Sequence, residues 1–129
     1  MTVTWTKTAV ILVDHGSVRA EANRLLEDVA EAARRARPGV AVYVAHMELA
    51  EPTIEQAFDR AVADGARHVI VHPYFLAPGR HSQSDIPRMA AEAAARHGGV
   101  SFAVTEPLGL DERMIQLVWD RIDQARTRA

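Results

Sequence analysis

The sequence contains no cysteine among its 129 residues. Disulfide bonds, thiolate zinc sites and cysteine-ligated iron–sulfur clusters are therefore excluded, because each of them needs cysteine sulfur. Any metal chemistry in this chain must use histidine, aspartate or glutamate side chains.

Long hydrophobic runs and an excess of charge of one sign are also missing. The apolar runs fall far short of the roughly 20 residues that span a bilayer, and residues 1–7 lack the layout of a signal peptide. Lys plus Arg total 15 against 17 for Asp plus Glu, so no overall basic field favours nucleic acid. We therefore expect a cytoplasmic protein of one domain, residues 1–129, that binds neither membranes nor nucleic acids.

Three common active-site motifs are absent as well. The sequence has neither G-x-G-x-x-G after its first apolar run nor G-x-x-x-x-G-K-[ST], so the usual dinucleotide and triphosphate sites are not predicted. Gly-x-Ser-x-Gly is missing too, which removes the simplest case for a serine hydrolase.

What the sequence does contain is a strand followed by a helix, four times over. Short continuous apolar runs are typical of parallel strands buried on both faces, and each precedes a segment with apolar residues at helical spacing. The predicted strands are Thr8–Asp14, Val40–His46, His68–Phe75 and Val100–Thr105. This alternation predicts an α/β fold of three layers, a four-stranded parallel sheet with helices on both faces.

The start of the second helix carries two further expectations. Pro52 is expected in the first turn of this helix, where its fixed backbone angle is favourable. Glu51 is expected at or near the helix N-terminus, where the helix dipole favours a carboxylate.

Ligands of such sheets bind beyond the carboxyl ends of the strands, near the point where the strand order reverses. His15 follows the first predicted strand, and His81 lies in the loop before the third helix. A single histidine in such a place is usually structural or solvated, but two at equivalent strand ends can face one cleft. Glu48 could assist them as a ligand or proton acceptor, and Arg80 is either an anion contact or a surface residue of the turn.

The other histidines are interpreted as structural or solvated, and several large apolar residues as structural. His46, His68, His72 and His97 lie within or at the ends of predicted elements. Met89, Met114 and Trp119 fall at helical spacing and indicate core or interface positions.

Four segments together resemble the small sirohydrochlorin chelatases, which are class II chelatases of tetrapyrrole biosynthesis. The segments are V-D-H-G-S-x-R-A-E-A-N, A-H-M-E-L-A-E-P-T-I, F-L-A-P-G-R-H-S-Q-S-D-I-P and T-E-P-L-G-L. The resemblance extends from about Ala9 to Ile122. Its most specific parts are H-G-S, P-G-R-H followed by D-I-P, and P-L-G-L.

The resemblance implies an enzyme with a chelatase-like, Rossmann-like domain that inserts Fe²⁺, Co²⁺ or Ni²⁺ into sirohydrochlorin or a related tetrapyrrole. The metal would be a substrate, and no permanently bound cofactor is expected. His15 and His81 match the two active-site histidines, which would bind the metal and accept the pyrrole protons, with Glu48 assisting. The chain looks like the short form, a single copy of a unit that long members contain twice, and the short form works as a homodimer.

The resemblance also implies contacts with the tetrapyrrole. Its rim carboxylates would contact Ser17 and Arg80, and its apolar faces would suit the residues Met47, Leu76 and Pro78. Asp14 stands where many relatives carry glycine, and V-D-H-G-S resembles plant and cyanobacterial iron chelatases, which favours Fe²⁺ and sirohaem over Co²⁺ and cobalamin. A non-catalytic metal or tetrapyrrole carrier, or an interaction module that has lost its chemistry, remains as an alternative.

Overall fold

A four-stranded parallel sheet forms the centre of the molecule, as predicted. The computed structural model describes residues 5–77, 79 and 82–128. The elements are, in chain order, β1 (Thr8–Asp14), α1 (Ala20–Ala36), β2 (Ala41–His46), α2 (Ile54–Ala63), β3 (His68–Pro73), α3 (Ser82–Ala95), β4 (Ser101–Val104) and α4 (Glu112–Arg128). The strand order is β2-β1-β3-β4.

β1 lies inside the sheet and sets the register of both its neighbours. Its last residue, Asp14, pairs with His46 of β2, and Val13 pairs with Pro73 of β3. Because all the strands are parallel, their carboxyl ends and the loops that follow them meet at one edge of the sheet.

The helices cover the sheet from both sides. The larger apolar cluster joins one face of the sheet to α2 and α3, and α1 covers β1 and β2 on the other face. Buried residues of the larger cluster include Ile11, Val13, Phe58, Val69, Val71, Ile86 and Ala90; the smaller one consists of Leu12, Leu26, Ala30, Val42 and Val44. The three-layer α/β prediction is therefore confirmed.

The prediction for the start of α2 is wrong by about half a turn. Thr53 is the N-cap, so Pro52 precedes the helix and does not lie in its first turn. The Thr53 hydroxyl accepts the backbone N–H of Gln56 at 3.1 Å, and the Gln56 side chain accepts the backbone N–H of Thr53 at 2.8 Å. This capping box fixes the first turn. Glu51 lies outside the helix, where its carboxylate accepts the side-chain amide of Gln56.

α4 differs from the other helices because none of its residues is buried. Trp119 is 54% exposed, and Ile122 is 46% exposed. Across the described residues, every helix is too short or too polar to cross a membrane.

Candidate active site at the carboxyl edge of the sheet

The strand order places a switch point at the carboxyl ends of β1 and β3. From β1 the chain passes through α1 to β2 on one side, whereas β3 lies on the other side of β1. The loops continue the strand pairing past these ends, since Met47 N donates to Asp14 O at 2.9 Å and Tyr74 N donates to Val13 O at 2.6 Å. Connections that diverge in this way leave a crevice between adjacent strand ends, which is where open α/β sheets bind ligands.

His15 lies at this crevice directly after β1. Its side chain is exposed, and its ring stacks on the ring of Phe75, which follows β3. The ring centroids lie 4.7 Å apart with an interplanar angle of 22°. Stacking uses the face of an imidazole and leaves both nitrogens at its rim, so His15 is oriented without losing its capacity to bind a metal or a proton.

Gly16 brings the loops after β1 and β2 into contact. Its φ angle is +88°, and a Cβ at this position would lie 1.9 Å from the carbonyl oxygen of Glu48. The backbone N–H of Glu48 donates to the carbonyl of His15 at 3.1 Å. Only glycine accommodates both the positive φ and this close approach. The backbones of His15 and Glu48 are therefore in contact, and the side chain of Glu48 is exposed.

A hydrogen bond between the side chains of His46 and Asp14 supports the His15 loop. His46 is 2% exposed, and its Nδ1 lies 2.5 Å from Oδ1 of Asp14, the residue before His15. A buried imidazole is stabilised by such a partner, which fixes the end of β1 against the end of β2. This buried, hydrogen-bonded position agrees with the prediction that His46 has a structural role.

Ser17 is held in a turn by Asn23 of α1. The backbone N–H of Ser17 donates to Asn23 Oδ1 at 3.0 Å, and Asn23 Nδ2 donates to the carbonyl of Ser17 at 2.7 Å. The hydroxyl oxygen of Ser17 accepts the backbone N–H of Arg19 at 3.0 Å. In this arrangement the hydroxyl hydrogen remains a donor for an anion, as the predicted role of Ser17 requires.

The two apolar residues predicted to face the macrocycle lie in different surroundings. Met47 is partly buried against the larger apolar cluster, so much of its surface already has a protein partner. Leu76 is 61% exposed beside the crevice. The loop after β4 is fixed to this segment, because Leu108 N donates to Phe75 O at 3.0 Å and Gly109 N donates to Leu76 O at 2.8 Å.

Three predicted site residues, Pro78, Arg80 and His81, lie outside the described residues, so their predicted roles stay predictions. Within the described ranges, no three histidine, aspartate or glutamate side chains come close enough together to hold a metal ion.

A cavity at this edge and a larger one elsewhere on the surface differ in the residues that line them. A cavity of about 290 Å³ lies beside Phe75, with Gln83 and Glu106 in its wall. A larger one of about 650 Å³ runs along the outer side of β2, between Arg34 and Arg60, and is lined by none of the predicted site residues. We assign the chemistry to the strand ends because His15 and the switch point lie there.

Comparison with known proteins places the chain in a family. Residues 9–125 match the family model CbiX. The chain belongs to the CbiX family. A curated relative, sirohydrochlorin ferrochelatase, chloroplastic, of Arabidopsis thaliana, is 45% identical over 88% of this chain. A sirohydrochlorin cobaltochelatase of Methanococcus maripaludis is 33% identical over 88% of this chain and 96% of its own length. The resemblance read from the sequence is thereby confirmed at the level of the family.

Solved structures of the family share the fold. A CbiX protein from Marinobacter aquaeolei VT8 superposes with a TM-score of 0.83 at 33% identity, covering 95% of this chain and 99% of that one. The chain spans about half the length of some curated relatives, 50% of the Arabidopsis protein and 44% of the Bacillus subtilis sirohydrochlorin ferrochelatase.

The sequence predicted the residues that could react but not the residues that hold them in place. The sequence predicts Phe75 as the end of a strand and predicts no role for Asn23. The stack of His15 on Phe75 joins residues 60 positions apart in the chain, and no local pattern announces it. Asn23 carried a signal, because an asparagine near the start of a helix commonly bonds the backbone of the preceding turn.

Proposed function

We propose that this chain inserts a divalent metal ion into sirohydrochlorin, with Fe²⁺ as the favoured metal and Co²⁺ or Ni²⁺ as further substrates. The observation that carries the proposal is an exposed histidine held against Phe75 at the switch point of a CbiX-family sheet. The relatives named as ferrochelatases and cobaltochelatases support the substrate and the reaction.

The chemistry requires a site that binds the metal loosely and takes up protons. Insertion of M²⁺ replaces two pyrrole N–H protons, so two protons leave the macrocycle for each metal that enters. Neutral imidazole binds Fe²⁺, Co²⁺ and Ni²⁺ and titrates near neutrality. We assign metal binding and proton acceptance to His15 and His81, with Glu48 assisting from the loop that Gly16 holds against His15.

Which metal is inserted depends on the supply of each ion as well as on the side chains that bind it. A site of imidazole nitrogens binds Ni²⁺ and Co²⁺ more tightly than Fe²⁺, so the proposal of Fe²⁺ rests on the 45% identity with the Arabidopsis ferrochelatase. Anaerobic competition among the three ions, with sirohydrochlorin and purified protein, measures the preference directly. Faster insertion of Co²⁺ at equal free concentrations would move the assignment from sirohaem to cobalamin biosynthesis.

Rim carboxylates of the substrate are assigned to Ser17 and Arg80, and its apolar faces to Leu76 and Pro78. Met47 contributes less than the sequence suggested, because it packs on the core. We further propose that the chain is a single chelatase-like domain acting as a cytoplasmic homodimer without a resident cofactor. The Arabidopsis relative is named as chloroplastic.

The decisive experiment follows the absorbance of sirohydrochlorin as metal is added to wild type, His15→Ala and His81→Ala. We expect either substitution to reduce the insertion rate by at least roughly 100-fold, which is the range of a lost acid–base or ligand group. His68→Ala is the matched control, because His68 begins β3 at the opposite end of the strand. Unimpaired insertion by a folded His15→Ala protein would refute the assignment. Tight sirohydrochlorin binding without insertion by the wild type would identify a carrier instead.

A further inference from the structure

β2 is an edge strand whose outer side is open. The strand order β2-β1-β3-β4 puts β1 on one side of it, and no strand in the described part of the chain lies on the other. Alternate residues of a strand direct their backbone groups to opposite sides, so every second residue of β2 turns its N–H and C=O outwards. Met47 N donates to Asp14 O, which identifies the odd-numbered residues as those that face β1. The backbone groups of Val42, Val44 and His46 therefore point away from the sheet.

Some of these outward groups have partners and others do not. His46 N donates to Pro52 O at 2.8 Å, and Val42 O accepts Nε and Nη2 of Arg34 at 3.1 and 2.8 Å. The N–H of Val42 and both backbone groups of Val44 have no protein partner among the described residues. Because unpaired backbone groups at a sheet edge are a template for a further strand, these groups can bind an extended chain.

The open backbone groups line a groove between α1 and α2. The cavity of about 650 Å³ runs along this side of β2, and Val42 and Val44 line it together with Pro52 and Ala57. The two valines are only 8% and 6% exposed, because their side chains pack beneath α1. Their outward backbone groups are therefore reached through the groove. β2 has six residues and is about 20 Å long, which is the length of an ordinary partner strand.

The lining of the groove is positively charged. Two arginines and no carboxylate line it in the described part of the chain, and Arg34 of α1 and Arg60 of α2 extend from helices on opposite faces of the sheet. Their ion pairs with Glu31 and Asp64 lie outside the groove and are exposed. Exposed pairs of this kind are weak, so both guanidinium groups can bind a new carboxylate. A second copy of β2 would instead bring the arginines of two copies together.

We propose that the outer side of β2 binds an extended acidic segment of another protein, which adds to the four-stranded sheet as a further strand. An antiparallel segment would place one residue opposite Val44, where the two residues exchange both backbone bonds. The carbonyl two residues further along would accept the N–H of Val42. Because successive side chains of a strand point to opposite faces, two consecutive acidic residues would reach Arg34 and Arg60, and an apolar neighbour would contact Ala57.

A selection for binding peptides tests the occupant. Random peptides about ten residues long, displayed on phage, are selected on the full-length protein, and synthetic copies are measured by fluorescence polarisation. We expect the enriched peptides to carry consecutive acidic residues beside β-branched ones. Arg60→Ala should weaken their binding by about 10-fold, which is the loss expected for one charge-assisted hydrogen bond.

Arg88→Ala is the matched control for Arg60→Ala. Arg88 is also a helix arginine with exposed carboxylate partners, but it lies on α3 and does not line the groove. Circular dichroism verifies that both variants keep the fold. Their rates of metal insertion should equal that of the wild type, so this site and the proposed chelatase activity can fail independently. Failure to enrich any peptide, or peptides that bind Arg60→Ala as tightly as the wild type, would overturn the inference.

Amide hydrogen exchange tests the addition of a strand. With the synthetic peptide bound, the amides of Val42 and Val44 should exchange at least roughly 10-fold more slowly. The amides of Tyr43 and Ala45 already face β1 and should change little. Binding without this alternation would place the peptide elsewhere and reject the inference. Protection of Val42 and Val44 that rises with protein concentration in the absence of peptide would identify a second copy as the occupant and reject it as well.

Discussion

Gly16 is the residue whose backbone most directly shapes the candidate site. Gly16→Ala would place a methyl group 1.9 Å from Glu48 O at a φ of +88°. We expect a loss of about 2 kcal/mol or more in the free energy of unfolding, because a strained backbone and a steric clash combine. Urea denaturation measures this change. Gly98→Ala is the control, since its Cβ would meet no atom within 4 Å and should change stability by less than about 0.5 kcal/mol. Equal effects of the two substitutions would contradict this account.

His72 makes stability depend on pH. Burial lowers its pKa from the ordinary 6.5. The Thr105 hydroxyl donates to the Glu106 carbonyl, so it accepts from Nδ1–H of a neutral His72 at 2.7 Å. Above about pH 6.5 both folded and unfolded states hold a neutral imidazole, and the contribution of this site to stability is complete. As the pH falls below 6.5 towards the lowered folded-state pKa, the unfolded state binds the proton before the folded state does, and this contribution is lost across that window.

We therefore predict that His72→Asn weakens the fall in the free energy of unfolding between pH 7.5 and pH 5.5. Asparagine retains a donor towards Thr105 but does not titrate. Urea denaturation at the two pH values measures the slope. His68→Asn is the matched control, because His68 lies on the same strand and also bonds a hydroxyl of β4, Ser101 Oγ at 2.6 Å. A slope unchanged in His72→Asn would show that other groups carry the dependence.

The residues near the reaction were easier to predict than the residues that support them. His15 follows an apolar run that is typical of a buried strand, so its position at the carboxyl edge was predictable from the chain alone. Its orientation did not, because the stack on Phe75 depends on how β1 and β3 pair. The same holds for His46, whose bond to Asp14 depends on the register of β1 and β2.

At the scale of elements, α2 shows how a local signal fixes a helix start beside the site. Thr53 caps the helix and forms a parallel bridge with His46, the buried residue below His15. Thr53→Ala removes the acceptor for Gln56 N, and we expect it to lower the free energy of unfolding by about 1 kcal/mol. Thermal or urea unfolding gives the value. Thr53→Ser keeps the hydroxyl and should recover most of the loss, whereas an equal loss in both variants would argue against capping as the cause.

The elements themselves were predictable because their signals are local. Apolar runs and helical spacing identified four strands and four helices, and β1 matched from Thr8 to Asp14. Pro52 was misplaced because proline favours the first turn in general, while the sequence T-I-E-Q assigns the cap to Thr53 specifically. The apolar residues of α4 fall at helical spacing, at Met114, Ile115, Val118, Trp119 and Ile122. Spacing cannot say whether this apolar face packs on its own chain or on another.

At the scale of the whole molecule, stability and association should be coupled. If α4 gains its partner only in the dimer, unfolding produces two chains from one folded particle, and mass action then favours the dimer at high concentration. Each tenfold rise in protein concentration adds about 1.4 kcal/mol to the stability of the pair. For a particle of this size we expect the thermal midpoint to rise by roughly 2–5 °C per tenfold increase.

Scanning calorimetry over a hundredfold range of concentration tests this coupling, with reversibility established by a second scan. Trp119→Glu should remove the dependence, because a folded monomer with a solvated α4 unfolds without changing the number of particles. Leu117→Glu should keep it, since that side chain lies on the opposite side of the helix from Trp119. A wild-type midpoint that stays constant across the range would mean that the sheet and its three covering helices fold without help from α4. The apolar face of α4 would then contribute nothing to stability.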